Sequence, residues 1–139
     1  MIKIGVIGYG YWGPNIVRNF SRLKSAKVVA VSDSNEKALS RINEIYPAMK
    51  VTTNSDEILA SPDIDAVAIV TPVSTHFELA KKALINGKHI FVEKPFTSST
   101  IQAEELIGLA DRKKLIIMVD HTFLFTGAVG KIKQLVDDN

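Results

Sequence analysis

The sequence contains no cysteine and no long apolar run, and each absence narrows the range of functions. Without cysteine the chain has neither disulfides nor cysteine-ligated metal sites. Its apolar runs are far shorter than the ~20 residues of a membrane-spanning helix, so no membrane partner is expected. The formal net charge is only +2, with lysines scattered along the chain. Nucleic acid is therefore not an expected partner either.

The remaining composition is that of an ordinary globular protein, 46% hydrophobic and 23% charged. A length of 139 residues predicts a single domain over 1–139. An apolar strand pattern begins at the second residue, which leaves no room for a signal peptide. Together with the lack of cysteine, this predicts a cytoplasmic protein. No spacing of His, Asp or Glu residues indicates a metal site.

Short apolar, β-branched runs alternate with stretches of helical period along the whole chain. Strands are predicted at Ile2–Ile7, Lys27–Ser32, Lys50–Thr52, Ala66–Thr71, His89–Glu93 and Leu115–Val119. Their unbroken apolar character is typical of strands buried on both faces. The alternation predicts an α/β fold with a doubly wound, mostly parallel sheet, the Rossmann fold, in the order 3-2-1-4-5-6.

Capping signals locate the ends of two of the intervening helices. Thr75 with Glu78 and Ser99 with Gln102 have the spacing of capping boxes. Gly87 stands where a left-handed residue would end the first of these helices. A last helix is predicted over Ala128–Val136.

A glycine-rich turn follows the first predicted strand and opens a helix. Gly8, Gly10 and Gly13 form G-x-G-x-x-G, in which glycines permit a tight turn, close approach of a pyrophosphate and close helix packing. In this strand–turn–helix setting the motif predicts a dinucleotide site. Tyr11 and Trp12 inside the turn either shield the cofactor from water or pack against a partner domain.

Asp33 follows the second strand, 20 residues beyond Gly13. A carboxylate at this position accepts hydrogen bonds from the adenosine ribose hydroxyls and repels a 2′-phosphate. Ser34 and Asn35 provide no arginine for that phosphate, although Lys37 could reach it. NAD is therefore the predicted cofactor, with NADP disfavoured. The alternative role for Asp33 is that of an N-cap for the next helix.

Two further motifs carry a more specific resemblance. Thr-Pro-Val-Ser-Thr-His at 71–76, followed by Lys-His-Ile-Phe-Val-Glu-Lys-Pro at 88–95, resembles the Gfo/Idh/MocA oxidoreductase family over the whole chain. The resemblance implies hydride transfer from a sugar, nucleotide-sugar or polyol hydroxyl to NAD. Gly-Tyr-Trp-Gly-Pro-Asn at 10–15 further resembles the members that act on nucleotide-linked sugars.

The resemblance also assigns roles near the expected nicotinamide position. It implies that Lys94 contacts the nicotinamide and is the catalytic residue, its ammonium binding the substrate oxygen as alkoxide character develops. The alternative is an ordinary exposed lysine at a strand end. By resemblance a cis peptide precedes Pro95, and Glu93 orients the loop, contacts the nicotinamide ribose or neutralises Lys94.

The remaining candidates for cofactor contact also lie at strand ends. Thr71 and Pro72 follow the fourth strand, and His121 follows the sixth, where ligands bind in a doubly wound sheet. His76 belongs to the same motif, and for it a local hydrogen bond is the competing role. His89 is expected to be structural.

The family places a substrate domain after this one, and the sequence ends about where that domain would begin. The chain is therefore expected to be the cofactor half of an enzyme, binding NAD with negligible turnover and exposing apolar surface near its C-terminus. With the second domain, a homo-oligomer is expected. The alternative is a non-catalytic module that senses NAD.

Overall fold

Six parallel strands form one sheet in the order β3-β2-β1-β4-β5-β6, which confirms the predicted topology. The structure, a computed structural model, describes residues 1–138. The strands are β1 (Ile2–Ile7), β2 (Ala26–Ser32), β3 (Lys50–Thr52), β4 (Ala66–Ile69), β5 (His89–Glu93) and β6 (Ile117–Asp120). All carboxyl ends of these strands therefore meet along one edge of the sheet.

Helices cover both faces of the sheet, as expected for a doubly wound fold. They are α1 (Gly13–Ser21), α2 (Glu36–Ile45), α3 (Asp56–Leu59), α4 (Val73–Ile85), α5 (Thr100–Lys113) and α6 (Gly127–Asp137), with a short 3-10 helix over Thr122–Phe125. Helices α1 and α2 pack on one face and α3, α4 and α5 on the other. Within residues 1–138 no helix is long and apolar enough to cross a membrane.

The core consists of two apolar clusters, one on each face of the sheet. Val17 of α1 and Ile42 of α2 are fully buried against β1 and β2. Leu84 of α4 and Leu106 of α5 are fully buried on the opposite face. Burial of apolar area stabilises the fold by about 25 cal/mol per Å². The large aliphatic side chains of the two clusters therefore hold one layer of helices against each face of the sheet.

The fourth strand is shorter than predicted and the helix after it begins earlier. β4 ends at Ile69, where its pairing with β1 ends at Ile7. Helix α4 then begins at Val73, so the capping box predicted at Thr75 is wrong. The Thr75 hydroxyl instead donates to the carbonyl oxygen of Pro72 at 2.8 Å, because it already lies inside the first helical turn.

The Ser99 cap and the left-handed Gly87 are confirmed. The Ser99 hydroxyl accepts from the Gln102 amide at 3.4 Å, while the Gln102 side chain accepts from Ser98 at 3.2 Å. Gly87 has φ +74° directly after α4. The predicted start of β6 at Leu115 is wrong, because the Leu115 amide still closes α5 by donating to the carbonyl of Ala110.

The segment beyond β6 packs little against the sheet. No residue of α6 is buried, and the three large apolar side chains of the 3-10 helix, Phe123, Leu124 and Phe125, are exposed. Ile132, Leu135 and Val136 of α6 are exposed as well. The apolar surface expected near the C-terminus is therefore present.

Candidate functional site

The three glycines of the turn between β1 and α1 meet very different surroundings. A Cβ on Gly8 would lie 2.4 Å from the carbonyl oxygen of Val70, and Gly8 has φ +100°. A Cβ on Gly13 would lie 2.6 Å from the carbonyl oxygen of Gly8. Gly10 would meet nothing within 4 Å. The fold itself therefore requires Gly8 and Gly13, whereas the space beside Gly10 is open to a ligand.

Helix α1 begins directly behind this turn. Pro14 lies in its first turn, where a missing N–H costs no helical hydrogen bond, and that turn contains no acidic side chain. The positive end of the helix is therefore not neutralised from within the helix, and it faces the turn. This arrangement favours an anion beside Gly10.

Asp33 holds the glycine turn against the end of β2. Its Oδ2 accepts from the Tyr9 amide at 2.6 Å and its Oδ1 accepts from the Asn35 amide at 2.8 Å. Asn35, not Asp33, caps α2 by accepting from the Lys37 amide at 3.0 Å, so the N-cap alternative for Asp33 is wrong. Each carboxylate oxygen keeps a lone pair for a further donor.

A cavity of about 570 Å³ lies at the carboxyl edge of the sheet, beside the turn. It is named here the glycine-turn cavity. Its lining comes from the ends of β1, β2 and β4, from the segment between β3 and α3, and from the first turns of α4. The residues are Ile7, Gly8, Gly10, Ser32, Asp33, Ser34, Thr53, Ser55, Val70, Thr71, Pro72, Ser74, Thr75, Glu78 and Leu79. Two of these are acidic, and in the described part of the chain none is a lysine or arginine.

His76 connects the two loops that follow β4 and β5. Its side chain is 1% exposed. One ring nitrogen lies 2.7 Å from the carbonyl oxygen of Thr71 and the other lies 3.0 Å from that of Pro95. The peptide before Pro95 is cis, as the resemblance implied. Both ring nitrogens lie against carbonyl oxygens, and the nitrogen that carries the proton donates to one of them, so this geometry fits a residue that positions the two loops.

Lys94 lies at the other end of the same edge. Its exposed side chain lines a second cavity of about 240 Å³ together with Asp120 and His121. That cavity is completed by Thr122, Phe123, Leu124 and Val129. It is named here the Lys94 cavity.

Sequence reasoning did not identify the carboxyl pair beside Lys94. Glu93 and Asp120 are partners in the register of β5 and β6, and Asp120 also accepts from the Thr122 hydroxyl at 3.0 Å. Burial raises the pKa of Glu93, and the charge and hydrogen bond of Asp120 raise it further. The signal was present in the sequence, since adjacent parallel strands that both end in an acid place two carboxyl groups together.

The two aromatic candidates lie in the glycine turn, whereas His89 begins β5 at the opposite edge of the sheet. Tyr11 is 88% exposed and meets Trp12 edge to face, with ring centroids 5.7 Å apart. Trp12 also lines a groove with Phe20 of α1. His89 is structural, because its Nδ1 accepts from the Ile116 amide at 3.0 Å.

A parallel sheet whose first turn carries G-x-G-x-x-G, with an acid after β2, defines a dinucleotide-binding Rossmann domain, and NAD or NADP is the class of ligand it accepts. The chain belongs to the Gfo/Idh/MocA family, described as an oxidoreductase family with an NAD-binding Rossmann fold, which matches residues 2–121.

Curated relatives of this chain include a named dehydrogenase and an uncharacterized oxidoreductase. UDP-N-acetylglucosamine 3-dehydrogenase from Acidithiobacillus ferrooxidans is 34% identical over 96% of this chain and 41% of its own length. An uncharacterized oxidoreductase of Escherichia coli, YdgJ, is 35% identical over 86% of this chain and 34% of its own length. The chain thus spans well under half of these curated relatives.

Solved structures share the fold closely. Scyllo-inositol dehydrogenase from Lactobacillus casei, with NAD(H) and scyllo-inositol bound, superposes with a TM-score of 0.88 at 28% identity, over 99% of this chain and 41% of the other. A 3-ketoreductase from Actinomadura kijaniata in complex with NADP and TDP-benzene gives 0.88 at 26% identity, over 99% and 42%. The two neighbours carry different dinucleotides.

Proposed function

We propose that this chain binds NAD for an oxidoreductase that removes hydride from a hydroxyl of a sugar, nucleotide-sugar or polyol. The observation that carries the proposal is the contrast within the glycine turn. The fold requires Gly8 and Gly13. At Gly10 a Cβ would meet no protein atom, and its absence only keeps open the space at the positive end of α1. A bound pyrophosphate explains why that space is kept free.

The glycine-turn cavity supports NAD over NADP. The adenosine ribose lies at Asp33, whose carboxylate is fixed by the Tyr9 and Asn35 amides and accepts the ribose hydroxyls. A 2′-phosphate there would meet a carboxylate, with Glu78 also in the lining. No cationic side chain among the described lining residues offsets that repulsion.

Other lining residues position the rest of the dinucleotide. Thr71 and Pro72 line the cavity after β4 and lie along the path toward Lys94. His76 holds their loop and the Pro95 loop in fixed relation. Tyr11 and Trp12 lie exposed at the opening of the turn, where they cover the cofactor.

The Lys94 cavity is the place of reaction. A nicotinamide held there would supply the hydride acceptor. The Lys94 ammonium would donate a hydrogen bond to the reacting oxygen and stabilise the negative charge that develops on it while the hydroxyl proton passes to solvent. Glu93 fixes the loop beneath it, and His121 lies at the rim beside the bound substrate or cofactor. Two relatives named for sugar and inositol substrates support this substrate class.

Turnover by the 139-residue chain alone is expected to be negligible. Hydride transfer requires the substrate to be held at near-attack distance, and the Lys94 cavity offers only about 240 Å³ beside exposed side chains. Oxidation of UDP-sugars or inositol by this chain, above the level of a Lys94→Ala control, would contradict this expectation.

Isothermal titration with NAD and NADP tests the binding proposal. Wild-type protein should bind NAD more tightly than NADP. Gly10→Ala should weaken NAD binding more than about tenfold, because the added methyl group occupies the space proposed for the pyrophosphate. A tenfold change corresponds to about 1.4 kcal/mol of binding free energy. The melting temperature should stay unchanged. Gly130→Ala is the matched control. Its added Cβ would also meet nothing within 4 Å, but Gly130 lies on α6, away from the glycine turn, so NAD binding should not change.

A second variant tests the discrimination between the cofactors. Asp33→Asn retains the size of the side chain and removes its charge, so the preference for NAD should shrink. No binding of either dinucleotide to the wild type, or equal binding by Gly10→Ala, would overturn the proposal.

A further inference from the structure

Ser32, the last residue of β2, carries a buried hydroxyl without a partner. The residue is 1% exposed, and among residues 1–138 no group forms a hydrogen bond with its Oγ. Its backbone is satisfied, because its carbonyl oxygen accepts from the Gly8 amide at 2.8 Å. A buried hydroxyl without a partner is unfavourable, so an orphan of this kind requires a physical reason.

The position of Ser32 supplies that reason. Side chains alternate along a strand, so Ser32 lies on the same face of β2 as Ala30, which packs in the cluster of α3, α4 and α5. The glycine-turn cavity is lined from that face by Ser55 and Leu79, and Ser32 is part of its lining. Ser32 is therefore a buried residue of the cavity lining, on the face of the sheet that α3, α4 and α5 cover.

The distance across the sheet indicates which half of the dinucleotide is near. β2 and β5 are separated by β1 and β4, and neighbouring strands lie about 4.8 Å apart. Ser32 is thus roughly 14 Å from β5, the strand that Lys94 follows. It lies next to Asp33, at the end of the cavity opposite the proposed nicotinamide position.

We propose that Ser32 is a further cofactor-binding residue whose hydroxyl forms a hydrogen bond with the adenosine diphosphate half of the dinucleotide. The inference rests on the proposed function. The Ser32 hydroxyl then has a hydrogen-bond partner only when the ligand is bound. At the end of β2, two residues, Asp33 and Ser32, would contact the ligand.

This role predicts effects of opposite sign on folding and on binding. Ser32→Ala removes a buried group that has no partner in the ligand-free protein, so stability should not fall and the melting temperature should stay equal or rise. The same change removes a hydrogen bond to the ligand, and NAD binding should weaken about fivefold, the usual worth of one neutral hydrogen bond.

The test compares melting temperatures without ligand and dissociation constants for NAD and ADP-ribose. Ser32→Ala should raise the dissociation constants of NAD and ADP-ribose by the same factor, because both ligands contain the adenosine diphosphate half. Ser32→Cys, of similar size but a weaker hydrogen-bonding group, should fall between wild type and Ser32→Ala. Ser40→Ala on α2, outside the cavity lining, is the control and should bind as wild type does.

Three results would overturn the inference. Unchanged affinity of Ser32→Ala would show that the hydroxyl does not contact the ligand. A lower melting temperature would show that the hydroxyl has a partner within the fold. Weaker NAD binding with unchanged ADP-ribose binding would place the contact on the nicotinamide half. If wild-type protein does not bind NAD at all, the proposed function fails and this inference fails with it.

Discussion

The two cavities at the carboxyl edge of the sheet differ in how completely the described residues build them. The glycine-turn cavity is surrounded by strand ends, α4 and a turn whose position is fixed by Asp33. The Lys94 cavity has exposed walls from the 3-10 helix and α6, in which Phe123 is 74% exposed. The glycine-turn cavity therefore depends on the sheet itself, whereas the Lys94 cavity depends on the segment that packs least.

Strand order explains part of the contrast, although Lys94 follows the central β5 and Thr53 and Ser55 follow the edge strand β3. β1, β2 and β4 lie in the middle of the sheet and are held by neighbours on both sides, whereas β6 is an edge strand. A side chain at the end of a central strand is fixed by packing on both faces. A side chain after an edge strand has support on one side only, so it retains more freedom to move.

Substitution of Gly8 should produce the largest effect on stability. Gly8→Ala would place a methyl group 2.4 Å from the Val70 carbonyl oxygen at φ +100°, and we expect a loss of about 3–4 kcal/mol in the free energy of unfolding. Urea denaturation measures it. Gly10→Ala should change stability by less than about 0.5 kcal/mol. Equal losses in both variants would remove the distinction between a glycine for the fold and a glycine for the ligand.

Loss of the His76 side chain should come next. His76→Ala leaves the Thr71 and Pro95 carbonyls without their partner and opens a small void, at a cost of about 2–3 kcal/mol. NAD affinity should fall as well, because the loop of Thr71 lines the glycine-turn cavity. His89→Ala, which removes a single hydrogen bond to Ile116, should cost less and leave NAD affinity unchanged. An NAD affinity lowered equally by both would contradict a positioning role for His76.

The sequence predicted the sheet order and the glycine turn because both depend on local patterns. Strand periodicity and G-x-G-x-x-G are readable within a few residues. The local hydrogen bond predicted for His76 is confirmed by its contact with the Thr71 carbonyl oxygen. Its contact with Pro95 could not be predicted in this way, since that partner is 19 residues away. The orphan hydroxyl of Ser32 was equally hidden, because whether a buried group has a partner depends on neighbours from several strands.

Element boundaries show the same limit. Leu115 looked like the start of β6 because it is apolar and precedes Ile116 and Ile117. Lys114 adopts a left-handed conformation with φ +55° and lets the Leu115 amide close α5. Residue propensity favours a strand at Leu115, but the C-cap of α5 determines where the helix ends. No sequence pattern predicts that a lysine adopts the left-handed conformation.

The carboxyl pair should make stability depend on pH. The pKa of Glu93 is raised, chiefly by burial and then by Asp120. Its contribution to stability is therefore complete below the ordinary glutamate pKa of about 4.3 and is lost as pH rises through the raised pKa. Glu93→Gln stays neutral, so its melting temperature should exceed that of wild type at alkaline pH and match it near pH 4.

Glu57→Gln provides a control of opposite sign. Hydrogen bonds from Lys50 and Thr52 lower the pKa of the exposed Glu57. Its contribution is present above the ordinary glutamate pKa and is lost as pH falls. Glu57→Gln should thus be slightly less stable than wild type at neutral pH. A Glu93→Gln variant that is less stable than wild type at a pH near 8 would contradict the effect of burial.

The smallest effect is expected at the residue proposed for chemistry. Lys94 is exposed and forms no ion pair within the described residues, so Lys94→Ala should change the free energy of unfolding by less than about 0.5 kcal/mol. NAD affinity, measured by titration, should change less than about threefold, because an exposed charge contributes little to binding in water. A tenfold loss of NAD affinity would instead make Lys94 a binding residue. The two cavities would then differ in exposure, but both would bind the dinucleotide. The Lys94 ammonium would contact the cofactor as well as the reacting hydroxyl.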